Sequence, residues 1–481
     1  MNRYIFAMAL SVLSLNAATD SRDVLIDKLL KEVASLKKSV DELKKNQIVV
    51  QKRQDESDHY IDEVYDFAEK TETRTLEDKL KLGVAFKTSL DNFTKKYADG
   101  HSVDSNNVWS SKLMLNVKAD ISKDMKLYSR LSMFKYWGSS IEQLYTEYDN
   151  MQGRVPSNSS LYVERAYLDW FLNRDGYIPI AVTIGRQPSA DGPSHQFKDN
   201  TVRKATYSAL LYDGAADGLV FTFDISKAIS NKHSFLRVGY AKGFEYTETS
   251  NDISNAFVGP SDNNLKDTNV YGLFFDTTIP NIRHSLVQLS YSQINDIVAN
   301  QLDINTTKNV NIGDISMYGA MVEVSDFHNS NIDMFVHYGY IQTHPNNQYY
   351  STYGGLLNSN NDNSSKNGEA IWLGARYGFG NRQKYKIGLE YNYGSKNWVS
   401  LTQGSYDIYN KLATRGDAYE AYFMYEINRY ANIRLGYIDI NYDYTKSGWF
   451  VGESKSMNNV DTPENKLKEL QSIYLKMSVN Y

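Results

Sequence analysis

An apolar/polar alternation of period two begins near Lys79 and is renewed to the last residue, and nothing else in the chain restricts its fold as much. Leu80, Leu82, Val84 and Phe86 alternate with Lys81, Gly83, Ala85 and Lys87. Leu113, Leu115, Val117 and Ala119 alternate with Lys112, Asn116, Lys118 and Asp120, and Leu127, Leu131 and Met133 with Lys126, Tyr128, Arg130 and Ser132. Successive strand side chains point to opposite faces, so each such segment has one greasy and one wet face. The theme returns near 161–172, 178–187, 217–226, 233–243, 268–280, 284–294, 312–325, 331–343, 367–379, 383–394, 417–428, 431–444 and 470–481. That makes roughly sixteen strands of about 9–14 residues, the length that spans a bilayer at a barrel's tilt.

The connections carry a second signal, because they alternate in length. Tight links near 122–123, 173–177, 227–232, 281–282, 326–329, 380–381 and 428–431 separate long polar stretches at 94–106, 138–160, 188–215, 244–267, 295–310, 344–366, 395–416 and 445–469. Short turns at one rim and long loops at the other are the pattern of an outer-membrane barrel, with an even strand count returning both ends to the periplasmic side. Composition agrees: Tyr is 38 of 481 residues and Pro only 8, a bias toward β-forming aromatics and away from strand breakers. A mean hydropathy of -0.52 fits strands that are apolar on one face only. With 0 Cys there is neither a disulfide framework nor a thiolate metal site, and a net charge of -5 gives no reason to expect a nucleic-acid partner.

The N-terminal region has a different character. Arg3, the apolar run 5–15 (IFAMALSVLSL) and the small residues Ala17 and Ala18 read in order as a secretory signal over 1–18, with a buried helix as the alternative. Residues 22–75 read as a helical coiled coil. Ile26, Val33, Val40, Gln47, Gln54, Ile61 and Ala68 hold one heptad position, and Leu29, Leu36, Leu43, Val50, Ser57 and Val64 the other. So narrow a stripe needs copies of itself, and a homo-oligomer through residues 26–68 is expected. β-branched residues at one core position with Leu at the other formally favour two strands, and only the analogy with porin-like barrels, commonly trimers, puts a trimer before a dimer. A helix folded back as a plug is the alternative. Residues 78–481 form the barrel. Its last strand, LQSIYLKMSVNY, sets Ile473, Leu475, Met477, Val479 and the terminal Tyr481 on one face, the form of C-terminus that the outer-membrane assembly machinery receives.

Two stretches also resemble a known family. IGRQPSADGPSHQF (184–197), followed by RKATYSALLYDGAADGLVF (203–221), and EYNYGSKNWVSLTQGSYDIYNKLATRGDAYEAY (390–422) are similar to a domain-of-unknown-function family of porin-like outer-membrane proteins from the campylobacterial lineage. The resemblance implies the fold class, an all-β transmembrane barrel behind an N-terminal α-helical coiled coil, and a place in the outer membrane. It implies no substrate and no catalytic residue.

The polar strand face becomes the lumen, where Arg130, Arg165, Arg237, Arg376 and Glu390 are expected, with Lys87, Lys112, Lys386, Lys476 and Glu420 among the other charges. A constriction is expected from an inward loop at 185–204, whose Gly185, Gly192 and Pro193 permit a tight path and which presents Arg186, Asp191, His195, Arg203 and Lys204, with Lys411 and Arg415 nearby. The alternative role for these charges is latching the loop to the wall. No G-x-S-x-G, H-E-x-x-H, Walker or G-x-G-x-x-G pattern occurs, so neither an enzyme nor a cofactor is expected. The expected function is passive diffusion of small hydrophilic solutes or ions through the outer membrane. The alternative is a structural or anchoring barrel with an occluded lumen.

Overall fold

A computed structural model describes residues 34–35, 79–137, 156, 159–188, 190–214, 216–244, 266–300, 309–348, 354–402 and 405–481. The chain divides into two units, Met1–Ala68 and Glu69–Tyr481. Of the first, only Ala34 and Ser35 are described, both helical; the signal at 1–18 and the rest of the coiled coil at 22–75 lie outside the described residues.

The second unit is a closed barrel of sixteen antiparallel strands, in the number and places that the alternation requires. β1 (Leu80–Tyr97), β2 (Ser102–Ser122), β3 (Met125–Tyr136) and β4 (Tyr162–Asn173) open it. β5 (Ile180–Arg186), β6 (Asp217–Asp224), β7 (Phe235–Phe244), β8 (Thr268–Thr277) and β9 (Ser285–Asn295) follow. A small hairpin, β10 (Val298–Asn300) and β11 (Asn309–Asn311), stands outside the barrel sheet. The wall resumes with β12 (Gly313–Val324), β13 (Ile332–Pro345), β14 (Asn367–Phe379) and β15 (Tyr385–Gly394). β16 (Gly416–Asn428), β17 (Ala431–Tyr442) and β18 (Leu467–Asn480) complete it. β18 closes on β1 in a register running from Ala85↔Asn480 to Tyr97↔Leu467. The main chain of Tyr481 finishes the seam with a reciprocal pair of 2.8 Å bonds to Val84.

Polarity is inside out, as a barrel in lipid requires. The row Leu389, Ala421, Tyr437, Ile473 faces outward across β15–β18, and Glu390, Glu420, Ile438, Ser472 face the lumen one position later or earlier. Leu82 is 72% exposed and Leu389 61%, which only a lipid-facing surface accommodates. Aromatic rings mark both edges of the apolar belt. Tyr291, Tyr318 and Tyr340 lie in a row at the loop side, and Tyr377, Phe379, Tyr385 and Tyr425 at the turn side, with ring centroids 5.1–6.0 Å apart.

Two expectations about length need correction. The stretch 94–106 is not a long loop: β1 and β2 run on for 18 and 21 residues, leaving only 98–101 between them. Polar residues here continue a hydrogen-bonded hairpin, with Thr94 donating to Asp104 at 2.7 Å, so polarity alone does not end a strand. β5 and β6, at 7 and 8 residues, are shorter than the expected span.

Candidate functional site

The loop portions of the two stretches that carry the family resemblance meet inside the barrel, between the wall strands that hold their ends. The first inner loop (187–216) crosses the lumen and carries one short helix, α1 (His195–Asp199), between two left-handed residues, Ser194 and Asn200. Gly192 passes so near the carbonyl of Tyr207 that a Cβ there would lie 1.9 Å from its oxygen, which explains the glycine. Wall residues then grip the loop from nearly all sides. Lys87 of β1 meets Asp199 at 2.6 Å, and Arg434 of β17 donates to the carbonyl of Lys198. Arg376 of β14 donates to the carbonyl of Phe197 at 2.5 Å, and Arg165 of β4 to that of Ala190 at 3.1 Å. Gln288 of β9 reaches the carbonyl of Thr206.

The second inner loop (395–415) lies beside the first. Leu401 and Tyr212 form a parallel bridge, with Asp213 N–H donating to the Leu401 carbonyl at 2.8 Å and Leu401 N–H to the Leu211 carbonyl at 3.0 Å. A buried charge quartet joins both loops to β15 and β16. Lys411 contacts Glu390 at 2.5 Å and Glu420 at 2.7 Å, while Lys198 contacts Glu420 at 2.9 Å and Glu390 at 3.8 Å. Tyr406 donates to Glu164 of β4, and Tyr409 to Asp91 of β1.

Inside the barrel, the two halves of the lumen differ. Against β9 and β12–β14, Leu210, Leu211, Leu356, Trp372 and Trp398 belong to one buried apolar cluster. Against β1–β3 and β16–β18 there remains a cavity of about 90 Å³, lined by charged and hydroxyl side chains including Lys87, Asp91, Lys112, Tyr406, Arg434 and Lys476.

The expected site residues separate accordingly. Arg130, Arg165, Asp191, His195 and Lys204 gather on the cavity side: Arg130 pairs with Glu164 at 3.0 Å and Lys204 with Asp191 at 3.3 Å. Arg376, Glu390 and Lys411 surround α1. Arg203 is half-buried and acts electrostatically on Glu323 of β12. Three residues lie elsewhere. Arg186 shares the register of outward-facing Ile184 and pairs with Asp217 at 3.2 Å on the outside of the wall, because the chain has not yet turned inward there. Arg237 is sealed against Asp276 at 2.5 Å. Arg415 is wholly buried and spends its guanidinium on the carbonyls of Trp398, Thr445 and Trp449. Burial alone lowers its pKa, to about 9.

Residues that the alternation does not reveal are Lys198, Asp199, Tyr406 and Tyr409 on the loops, and Glu164 on β4. Glu164 sits at a register shift between Arg130 and Leu131, so it and Arg165 both serve the interior, which strict alternation forbids.

A serine, a histidine and a carboxylate also meet here, without forming a nucleophile. Ser194 Oγ donates to Glu323 at 2.8 Å and so accepts from Nε2 of His337 at 2.9 Å. A catalytic histidine must instead take the serine proton and be oriented by the acid. Ser194 and His337 are fully buried, and the cluster latches the loop to β12 and β13.

His195 gives the same loop a titratable hold. Burial pulls its pKa down, but the Asp213 carboxylate 3.4 Å away, helped by Asp191 and opposed by Lys198, leaves it above the ordinary value. The stabilisation is therefore complete below the ordinary histidine pKa and is lost as pH rises through the raised one. Amide exchange in 190–213 is expected to accelerate as pH rises above the ordinary histidine range, beyond the intrinsic base dependence. His195→Asn should remove that excess; an unchanged excess rules out His195 as its source.

Residues 102–481 match the family described as "Protein of unknown function (DUF3373)". The chain belongs to that family. No curated protein matches it. Among solved structures, the chain shares a fold-level likeness with OmpT of Vibrio cholerae, 12% identical over 84% of this chain and 97% of that one, TM-score 0.44. OprB of Pseudomonas putida is 11% identical over 84% and 95%, TM-score 0.47, and OmpF of Salmonella typhi, in complex with daunomycin, 11% over 84% and 100%, TM-score 0.45.

Proposed function

We propose that this DUF3373 protein is an outer-membrane channel that passes small hydrophilic solutes or ions along the β1–β4 and β16–β18 side of its lumen. The observation that carries the reading is the charged cavity of about 90 Å³ inside a wall whose outside is apolar. Lys112 Nζ, Asp91 Oδ2 and Arg434 Nε, on residues that line that space, are buried and have no hydrogen-bond partner among the described residues, which leaves polar groups there for water or solute to satisfy. The inner loops narrow the passage, with Arg130, Arg165, Asp191, His195 and Lys204 at the narrow zone. A sixteen-strand barrel otherwise encloses an aqueous channel.

The second reading, a structural or anchoring barrel with an occluded lumen, draws on the apolar cluster that fills the β9–β14 side. Planar-bilayer recording separates the two. Resolved conductance steps support the channel, and a folded but silent barrel supports the anchor.

Export through residues 1–18 and oligomerisation through 26–68, as a trimer, belong to the same proposal. So does recognition of the C-terminal strand by the barrel-assembly machinery. Deleting Tyr481 removes the two closing bonds to Val84, and the yield of heat-modifiable barrel in outer membranes is expected to fall severalfold. An unchanged yield takes the last residue out of that recognition.

A further inference from the structure

Six cations stand on the inner face of adjacent strands in directly opposed like-charge pairs, four of them lining the cavity. Arg434 of β17 faces Lys476 of β18, Lys87 of β1 faces Lys112 of β2, and Arg130 of β3 faces Arg165 of β4. Like charges directly opposite one another destabilise a sheet, so an arrangement repeated three times needs compensating negative charge. The protein supplies part of it. Asp199 pairs with Lys87 at 2.6 Å and with Arg434 at 3.5 Å. Glu164 alone serves Lys112 at 3.5 Å, Arg130 at 3.0 Å and Arg165 at 3.4 Å. Lys476 has no ion pair or hydrogen bond among the described residues, and Lys112 Nζ and Arg434 Nε keep unused donors although both residues are buried. All three line the same cavity.

We infer that this cavity binds a small oxyanion, a carboxylate or a phosphate, held between Lys476, Arg434 and Lys112. Its oxygens take the unused N–H groups, as charge-assisted bonds that are stronger than neutral ones. Asp91 Oδ2, an acceptor without a donor on the same cavity, receives a hydroxyl or ammonium proton from the ligand, which selects hydroxy- or amino-substituted acids and protonated phosphate. The site deepens the channel reading and rests on its solute-accessible lumen: the arc would concentrate the oxyanion where the passage is narrowest.

The test is calorimetric titration of the full-length, detergent-folded protein in low-chloride buffer with malate, inorganic phosphate and, as a neutral control, glucose. Saturable binding of malate or phosphate but not glucose is expected, and which anion binds distinguishes carboxylate from phosphate. Lys476→Met should weaken it at least tenfold, since this side chain has no hydrogen bond or ion pair among the described residues whose loss would unfold the barrel. Lys81→Met, which removes an exposed lysine 3.9 Å from Asp120 and outside the cavity lining, should leave it unchanged. No saturable heat with either anion, or equal binding in the two variants, overturns the site. Conductance is recorded on the same preparations. A silent protein that binds the anion refutes the channel alone, and a conducting protein that binds none refutes the site alone.

Discussion

Glu420→Gln is expected to destabilise the folded loops by about 3–5 kcal/mol, the cost of breaking a buried ion pair from one side. The carboxylate holds Lys411 at 2.7 Å and Lys198 at 2.9 Å and accepts from Tyr474 at 2.6 Å. Its loss leaves two buried ammonium groups with only Glu390 between them. Lys411 is 1% exposed, so water cannot take over. Denaturant unfolding followed through tryptophan fluorescence reads the effect, because Trp372 donates to Glu390 at 3.1 Å and Trp398 to the Leu412 carbonyl at 2.9 Å. Lys411→Met combined with Glu420→Gln should recover part of the loss, since one orphaned cation goes with its partner. A wild-type unfolding curve for Glu420→Gln would show that the quartet does not hold the loops.

Replacing residues 190–213 with a short glycine-serine linker is expected to raise single-channel conductance severalfold, toward that of an open sixteen-strand barrel. The barrel's strand ladders do not pass through this loop, so heat-modifiable mobility should persist. The segment removed carries α1 and its grips on β1, β14 and β17. The prediction holds even for a protein that is silent in its native form, where a new conductance should appear. Unchanged current would place the restriction in the 395–415 loop or beyond.

The barrel is legible from its residues because burial on a closed wall depends only on parity. Leu80 to Phe86 and Ile473 to Val479 show the outward face plainly, and each of the sixteen expected segments overlaps a wall strand. The interior is less legible, for three separate physical reasons. Ile438 and Ile440 face inward yet are apolar, because a folded-in loop rather than water covers them, and they blur the alternation that would mark Arg434 as lumenal. The register shift at Glu164 breaks parity locally. Arg186 precedes the turn inward by too few residues to follow it. Lys198 and Asp199 sit on a loop, where no period exists, and only the tertiary path brings them to the wall.

The seam between β1 and β18 has a kinetic consequence. Pairing Ala85 with Asn480 joins positions at nearly opposite extremes of the sequence, so closure is the least local contact in the fold and brings no return until the final strand has been synthesised. Until then the unfinished sheet carries two bare, hydrogen-bond-hungry margins, which invite pairing with the wrong neighbour. The unclosed barrel is therefore the stage of this fold most open to mispairing.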